Sequence, residues 1–91
     1  MDINTQIERV KKYQKYYEEI MEGLRVYEKD PSVLNNLKQK VEELDHYYTD
    51  GRYMEDYLAD EDGKIPKNLN IEILTQDALY DLFIKLDEIY K

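Results

Sequence analysis

The sequence contains no cysteine, no tryptophan and a single histidine, His46, among its 91 residues. Without cysteine the chain cannot form disulfides, a thiolate nucleophile, or a cysteine-based zinc or iron–sulfur site. Such a chain suits a reducing compartment, so we expect a cytoplasmic protein. Carboxylates and one imidazole are therefore the side chains that could hold a metal ion.

Long hydrophobic runs are also missing. No apolar stretch approaches the roughly 18 residues that a membrane-spanning helix needs. The first residues, MDINTQIERVKKYQ, lack the apolar segment of a signal peptide. We therefore expect a soluble protein that does not enter a membrane.

Positive charge is scarce, since 13 Lys and Arg stand against 21 Asp and Glu, and the net charge is −8. Most of the excess lies in residues 49–62, which contain six acidic residues and one arginine. Because negative charge opposes binding to a phosphate backbone, we expect no nucleic-acid partner. A protein with a basic surface is the partner that this charge favours. One short basic patch is interpreted as a solvated helix face: Arg9, Lys11, Lys12 and Lys15.

Hydrophobic periodicity predicts an all-α protein. Apolar residues recur every three or four positions in four stretches, roughly residues 3–29, 31–48, 51–60 and 75–90. We predict a small antiparallel bundle of three main helices, with a short fourth helix inserted before the last. A chain this short buries only about 60 to 65% of its unfolded surface, so residues 1–91 are expected to form one domain.

Local signals refine the helix ends. Thr5 begins an S/T-x-x-E capping box at the first helix, although Asp2 could cap that helix one turn earlier. Gly23 inside the same helix indicates either a close approach by another helix or a bend. Thr75 is expected to cap the last helix, and the preceding NIEIL segment could form a brief extended piece.

The acidic segment DYLADEDGKIPKN invites a test for calcium binding. With Gly63 as position six of an EF-hand loop, Leu58 falls at position one and Leu69 at position twelve, where oxygen ligands are required. An EF-hand is therefore excluded, and a solvated acidic turn is the favoured interpretation. Weak candidates for a divalent cation are Asp60, Glu61 and Asp62 in this turn, and His46 between Glu42 and Asp50 on the second helix. We expect no bound cofactor.

No motif indicates catalysis. The hydroxyl side chains of Ser32, Thr5 and Thr75 stand where helix caps belong, and no G-x-S-x-G or H-E-x-x-H pattern occurs. Because no nucleophile, base and orienting group occur together, we predict that the protein is not an enzyme.

Ten tyrosines are the most unusual feature of the composition. Tyrosine suits the half-buried seams of a small bundle and is also enriched at protein interfaces. Most are assigned to seam or core positions, namely Tyr13, Tyr17, Tyr27, Tyr48, Tyr57 and Tyr80. Tyr16 and Tyr47 fall off the apolar stripes and are expected to be exposed. The predicted interaction surface comprises Tyr16, Tyr47, Tyr53, Glu55, Asp56, Asp60, Glu61 and Asp62.

Residues 46–83 resemble an uncharacterised bacterial family, domain of unknown function 4298. The resemblance rests on a tyrosine pair, an acidic D-E-x-G-K-x-P turn and an L-[ST]-x-D-A-x-Y-x-L motif, which here are Tyr47 with Tyr48, Asp60 to Pro66, and Leu74 to Leu82. Gly51 stands where proline is common in the family, and Tyr53 where tryptophan is usual. The resemblance implies a bacterial cytoplasmic helical protein and assigns no catalytic residue. It also implies that the acidic turn joins two helices in a defined geometry, with Gly63 permitting the reversal.

These observations predict a non-catalytic protein–protein interaction or regulatory module. Weak divalent-cation binding through the acidic turn is one alternative. An immunity-type protein that neutralises a cationic toxin is another, although it rests on analogy of fold. A homodimer formed through a leftover apolar stripe remains open.

Overall fold

Four α-helices and one short 3-10 helix form the part of the chain that the computed structural model describes, residues 2–27, 29–75 and 77–90. They are α1 (Ile3–Val26), α2 (Val33–Thr49), α3 (Arg52–Glu61), the 3-10 helix Glu72–Leu74 and α4 (Ala78–Tyr90). No strand occurs within these described residues. The all-α bundle predicted from the sequence is confirmed, and its short helix precedes the last helix as expected.

The α1 helix begins after Asp2, whose carboxylate accepts a hydrogen bond from the backbone N–H of Asn4 at 3.4 Å. Of the two caps that the sequence allowed, the structure therefore uses the earlier one, and Thr5 lies inside the helix. The predicted end at residue 29 is too late, because α1 ends at Val26. Glu28 lies outside the described residues.

The α1 and α2 helices approach each other closely at Gly23. A Cβ atom built on this glycine would lie only 2.5 Å from Cδ1 of Leu37, a side chain on α2. Such a distance is too short for a real contact, so an alanine here would require Leu37 to move. Of the two explanations for this glycine, the structure supports close helix packing.

A tight corner joins α2 to α3. Gly51 has φ +100°, in the left-handed region that L side chains rarely adopt. The carboxylate of Asp50 accepts hydrogen bonds from the backbone N–H of Arg52 at 3.1 Å and from its Nε at 2.9 Å. This arrangement starts α3 directly after α2 and holds the two helices at a fixed angle.

The segment before α4 forms the 3-10 helix Glu72–Leu74 and not the brief extended piece that the sequence allowed. Within the 3-10 helix the N–H of Ile73 donates to the buried side-chain oxygen of Gln14 on α1, at 2.9 Å. That bond satisfies a backbone group that a lone strand would leave unpaired. The hydroxyl of Thr75 donates to the carbonyl of Glu72 at 2.6 Å. The α4 helix begins at Ala78, three residues after its predicted cap.

One hydrophobic core unites all the helices. Its buried members are Val10, Tyr13, Tyr17, Ile20, Leu44, Tyr47, Tyr53, Ile73, Leu74, Leu79, Leu82 and Leu86. The α4 backbone packs most closely on the 3-10 helix and reaches the other helices through its side chains. No described helix combines the length and the apolar character required to cross a membrane.

Candidate functional site

A buried carboxylate ties the first three helices together. Asp56, in the middle of α3, is fully buried. It accepts hydrogen bonds from Arg9 at 2.6 and 3.0 Å, from Nε2 of Gln6 at 2.8 Å, and from the hydroxyl of Tyr47 at 2.7 Å. Burying a charge is unfavourable unless it is paired and hydrogen-bonded, and these donors from α1 and α2 supply that compensation. We call these four residues the Asp56 cluster.

The electrostatics of the Asp56 cluster favour one protonation state for each of its two titratable donors, Arg9 and Tyr47. The hydrogen bond from Arg9 to Asp56 raises the pKa of the guanidinium, which therefore stays charged. Burial, followed by the hydrogen bond to Asp56, raises the pKa of the Tyr47 phenol, which therefore stays neutral. Because every donor points to the same carboxylate, the cluster fixes α3 against α1 and α2.

Aromatic rings continue from this cluster across the bundle. The rings of Tyr13 and Tyr47 stack with centroids 4.1 Å apart and planes 10° apart. Tyr53 meets the Tyr47 ring edge-on at 5.9 Å and the Tyr48 ring at 5.1 Å, and Tyr48 reaches Phe83 of α4 at 5.4 Å. Burial raises the pKa of Tyr53 to about 12. The rings therefore link all four α-helices through one continuous series of contacts.

An open groove with a volume of about 430 Å³ lies between α2 and α4. It is lined by Val41, Glu42, Asp45 and Tyr48 from α2 and by Tyr80, Phe83, Ile84, Leu86 and Asp87 from α4. Two of its apolar residues are largely exposed, Tyr80 at 57% and Ile84 at 44%. The exposed carboxylates of Glu42 and Asp45 border one wall, and that of Asp87 borders the other. We call this feature the α2/α4 groove.

Two further hollows lie on other sides of α4. One, of about 270 Å³, lies beside Tyr17 and the 3-10 helix, and another, of about 480 Å³, lies between α4 and the end of α1. The second is bordered by charges of both signs, from Arg25, Lys85 and Glu88. Of these three described hollows, the α2/α4 groove alone combines a mainly apolar floor with charges of one sign only.

The comparison with known families identifies the chain. The model of the Domain of unknown function (DUF4298) matches residues 5–91. The chain belongs to this family. The resemblance seen in residues 46–83 therefore extends through the N-terminal helix as well. Comparison with curated proteins and with solved structures gives no significant match.

Part of the predicted interaction surface of this DUF4298 chain is buried. Tyr47 and Asp56 are 0% exposed and Tyr53 is 7% exposed, so their placement on a surface is wrong. The adjacent residues Tyr47 and Tyr48 lie on different faces of α2. Tyr47 contacts α1 and α3, whereas Tyr48 contacts Phe83 of α4. Asp56 is buried because donors that are distant in sequence surround it.

The remaining members of the predicted surface stay accessible to different degrees. Tyr16 is half-buried, with the ammonium groups of Lys12 and Lys40 at 5.7 and 5.5 Å from its ring centroid. Glu55 is exposed and pairs with Arg9 at 3.3 Å. These residues lie apart from the α2/α4 groove and do not form its lining.

The acidic turn is ordered but does not assemble a metal centre. Gly63 has φ +76°, which gives the expected reversal of chain direction. The backbone N–H of Lys64 then donates to the carbonyl of Ala59 at 2.9 Å. Asp60 is half-buried with one oxygen lacking a hydrogen-bond partner, whereas Glu61 and Asp62 are exposed. Within residues 2–27, 29–75 and 77–90, no group of three or more His, Cys, Asp or Glu side chains is placed to hold a metal ion. His46 is exposed on α2, and its neighbour Asp50 is engaged by Arg52.

The α2/α4 groove was not predicted from the sequence. Tyr80 was expected at a seam or core position, yet it is 57% exposed. One signal was present, because α4 reads ALYDLFIKLDEIY and carries apolar residues around most of its circumference. A helix of this kind is normally buried on several sides, so the exposed face of α4 is unusual for its composition.

Proposed function

We propose that this DUF4298 chain is a non-catalytic protein-interaction module that binds through the α2/α4 groove. Its partner would present apolar side chains flanked by lysine or arginine. The observation that supports the proposal is an apolar groove with exposed Tyr80 and Ile84 inside a border of three carboxylates. Exposed apolar patches bordered by polar residues commonly mark sites of protein interaction.

Charge complementarity supports a basic partner. Glu42 and Asp45 lie on one wall of the groove and Asp87 on the other, so a bound segment would meet negative charge on both sides. The whole chain carries a net charge of −8, which favours encounter with cationic partners. The immunity-type hypothesis is one case of this proposal, since a cationic toxin would satisfy the same requirement.

The groove chemistry supports binding without catalysis. The polar side chains of its lining are three carboxylates and two phenols, and no serine, histidine or lysine is included in that lining. A nucleophile with a base and an orienting group is therefore not assembled at this position. The weak cation-binding alternative gains no comparable support, given the placement of the acidic turn described above.

Affinity capture with matched variants tests the proposal. Tagged wild-type protein, Ile84→Lys and Leu58→Lys would be incubated with a lysate of the cells that encode the chain, followed by quantitative mass spectrometry. Leu58 is an equally apolar exposed residue on α3, at 52% exposure, and serves as the control. We expect at least one protein to be captured equally by wild type and Leu58→Lys. The amount of that protein captured by Ile84→Lys should be at least about tenfold lower. Equal retention by all three baits would contradict the proposal.

A further inference from the structure

We infer that the occupant of the α2/α4 groove is an amphipathic helix of two to three turns from another protein, with lysine or arginine on both sides of its apolar stripe. This inference rests on the proposed function and specifies its ligand. Three features of the groove lead to it, namely the length of its walls, the secondary structure of those walls and the positions of its carboxylates.

The walls of the groove match a short helix in length. The lining extends from Val41 to Tyr48 on α2 and from Tyr80 to Asp87 on α4. The seven steps between the first and last of these eight residues rise about 10 Å along the helix, which is two turns. An occupant of similar length places apolar residues at positions i, i+4 and i+7 along one face. Tyr80 and Ile84 are themselves one turn apart and offer two successive contacts for such residues.

The secondary structure of the walls favours a helix over a strand. A bound strand gains its affinity from backbone hydrogen bonds to a sheet edge. Residues 2–27, 29–75 and 77–90 contain no strand, and the backbone groups within α2 and α4 are committed to their own helices. A third helix needs no backbone partner, because it packs through side chains against two helical neighbours about 8 to 10 Å away.

The carboxylates set the charge pattern of the occupant. Glu42 and Asp45 are three residues apart and therefore share one face of α2, while Asp87 lies across the groove on α4. A helix seated between the walls turns one flank to each of them. Lysine or arginine on both flanks, rather than on one, is the pattern that this arrangement attracts.

A second copy of this chain is a poor occupant for electrostatic reasons. Its exposed apolar residues on α3, Met54 and Leu58, share their short helix with Glu55 and Glu61 and precede Asp62. Docking that face into the groove would set carboxylates against the carboxylates of the border. The charge distribution therefore favours a different protein over self-association.

Synthetic peptides test the inference by fluorescence anisotropy. The probe is a labelled, end-capped peptide of about 18 residues with leucine at i, i+4 and i+7 and lysine on both flanks, long enough for partial helicity in water. A second peptide of identical composition places its leucines at alternate positions, and a third replaces lysine with glutamate. We expect the first to bind with a Kd below about 1 mM and each of the others at least about tenfold more weakly.

Groove variants locate the binding site. We expect Ile84→Ser to weaken binding of the helical peptide by about tenfold or more, and Asp45→Lys to do the same while reducing the salt dependence of Kd. Leu58→Ser, at a site of similar exposure on α3, should bind as wild type does. Size-exclusion chromatography with light scattering should give a wild-type monomer.

The outcomes separate failure of the inference from failure of the proposed function. The peptide with alternating leucines could bind as tightly as the helical peptide or more tightly. If Ile84→Ser also weakened that binding, the result would overturn the helical occupant but leave the groove as a binding site. No binding of the helical peptide at about 1 mM would also overturn the helical occupant. A wild-type dimer that Ile84→Ser dissociates would make a second copy the occupant. Failure of the lysate experiment, in which no capture depends on Ile84, would remove the proposed function itself.

Discussion

Two parts of this bundle are held together by different kinds of interaction. In one part, α1, α2 and α3 are joined by a buried carboxylate with donors on three side chains and by stacked aromatic rings. In the other, α4 inserts Leu79, Leu82 and Leu86 into the core and rests its backbone mainly against the 3-10 helix. Directional hydrogen bonds accept few alternative geometries, whereas apolar contacts accept many.

Helix packing also differs between these two parts. The α1 and α2 helices lie close together, as the contact between Gly23 and the side chain of Leu37 shows. All three described hollows border α4 instead. The helices joined at the Asp56 cluster therefore form a frame, and α4 supplies the surface that we propose for binding.

The largest expected effect comes from removing the central carboxylate. Asp56→Ala leaves Arg9 and Tyr47 without their buried partner, and breaking such a pair costs about 3 to 5 kcal/mol. A domain of this size is stable by about 5 to 15 kcal/mol, so the variant should be strongly destabilised in urea denaturation. Glu55→Ala is the control, because it removes the exposed partner of the same arginine and should cost less than about 1 kcal/mol. If both variants lowered the free energy of unfolding by similar amounts, the Asp56 cluster would not be the main interaction that holds the three helices together.

A smaller loss is expected from a single hydroxyl. Tyr47→Phe keeps the ring stack but removes a hydrogen bond to a charged group, which contributes about 1.5 to 3 kcal/mol. Tyr53→Phe removes only a long contact to the carbonyl of Thr75, at 3.4 Å, and should cost no more than about 0.5 kcal/mol. Urea midpoints of the two variants measure the difference. Equal midpoints would mean that the Tyr47 hydroxyl adds nothing beyond its ring.

Alkaline pH should lower the free energy of unfolding through the buried tyrosines. Burial raises the pKa of Tyr53 from 10.0 to about 12 and raises that of Tyr47. Above pH 10 the phenols ionise in the unfolded chain but stay protonated in the folded one. The unfolded chain then binds fewer protons, and the free energy of unfolding falls with rising pH. Their stabilising contribution is complete below pH 10 and is lost as pH rises through the folded-state pKa.

Denaturation in urea from about pH 8 to about pH 11, with tyrosinate absorbance as a second readout, checks this expectation. Tyr53→Phe removes one raised pKa and should make the decline shallower. An unchanged decline in that variant would assign the effect to other groups.

The smallest expected effect on stability is at the groove. Ile84→Ser replaces a side chain that is 44% exposed, so its free energy of unfolding should stay within about 0.5 kcal/mol of wild type. The free energy of unfolding of Leu58→Ser, on α3, should change equally little. If Ile84→Ser lowered the free energy of unfolding by more than about 2 kcal/mol, Ile84 would belong to the core. The distinction between a stabilising core and an accessible groove at α4 would then fail.

Periodicity predicted the helices well because it is a local property. The spacing of apolar residues gave the number and type of the helices, and the acidic turn with Gly63 gave the connection after α3. Helix ends were less accurate, since caps such as Asp2 and Thr5 compete within one turn. The 3-10 helix was missed because Gln14, far away in the sequence, accepts one of its backbone N–H groups.

Burial of particular residues could not be predicted in the same way. Asp56 and Asp60 occupy similar acidic surroundings in one short helix, yet one is fully buried and the other half-buried. Tyr47 and Tyr48 are adjacent, and a shift of one position around α2 decides which ring stacks on Tyr13. Nothing in the residue types themselves distinguishes the members of either pair.

The sequence by itself determined an acidic, helical chain, because composition sets charge and a period of 3.6 residues sets the helices. Only the tertiary structure decided that Asp56 is buried and that Ile84 is exposed. The donors to Asp56 from α1 lie 47 and 50 residues away, and the groove exists only where α4 meets α2. Both depend on how the helices dock, which short-range patterns do not encode.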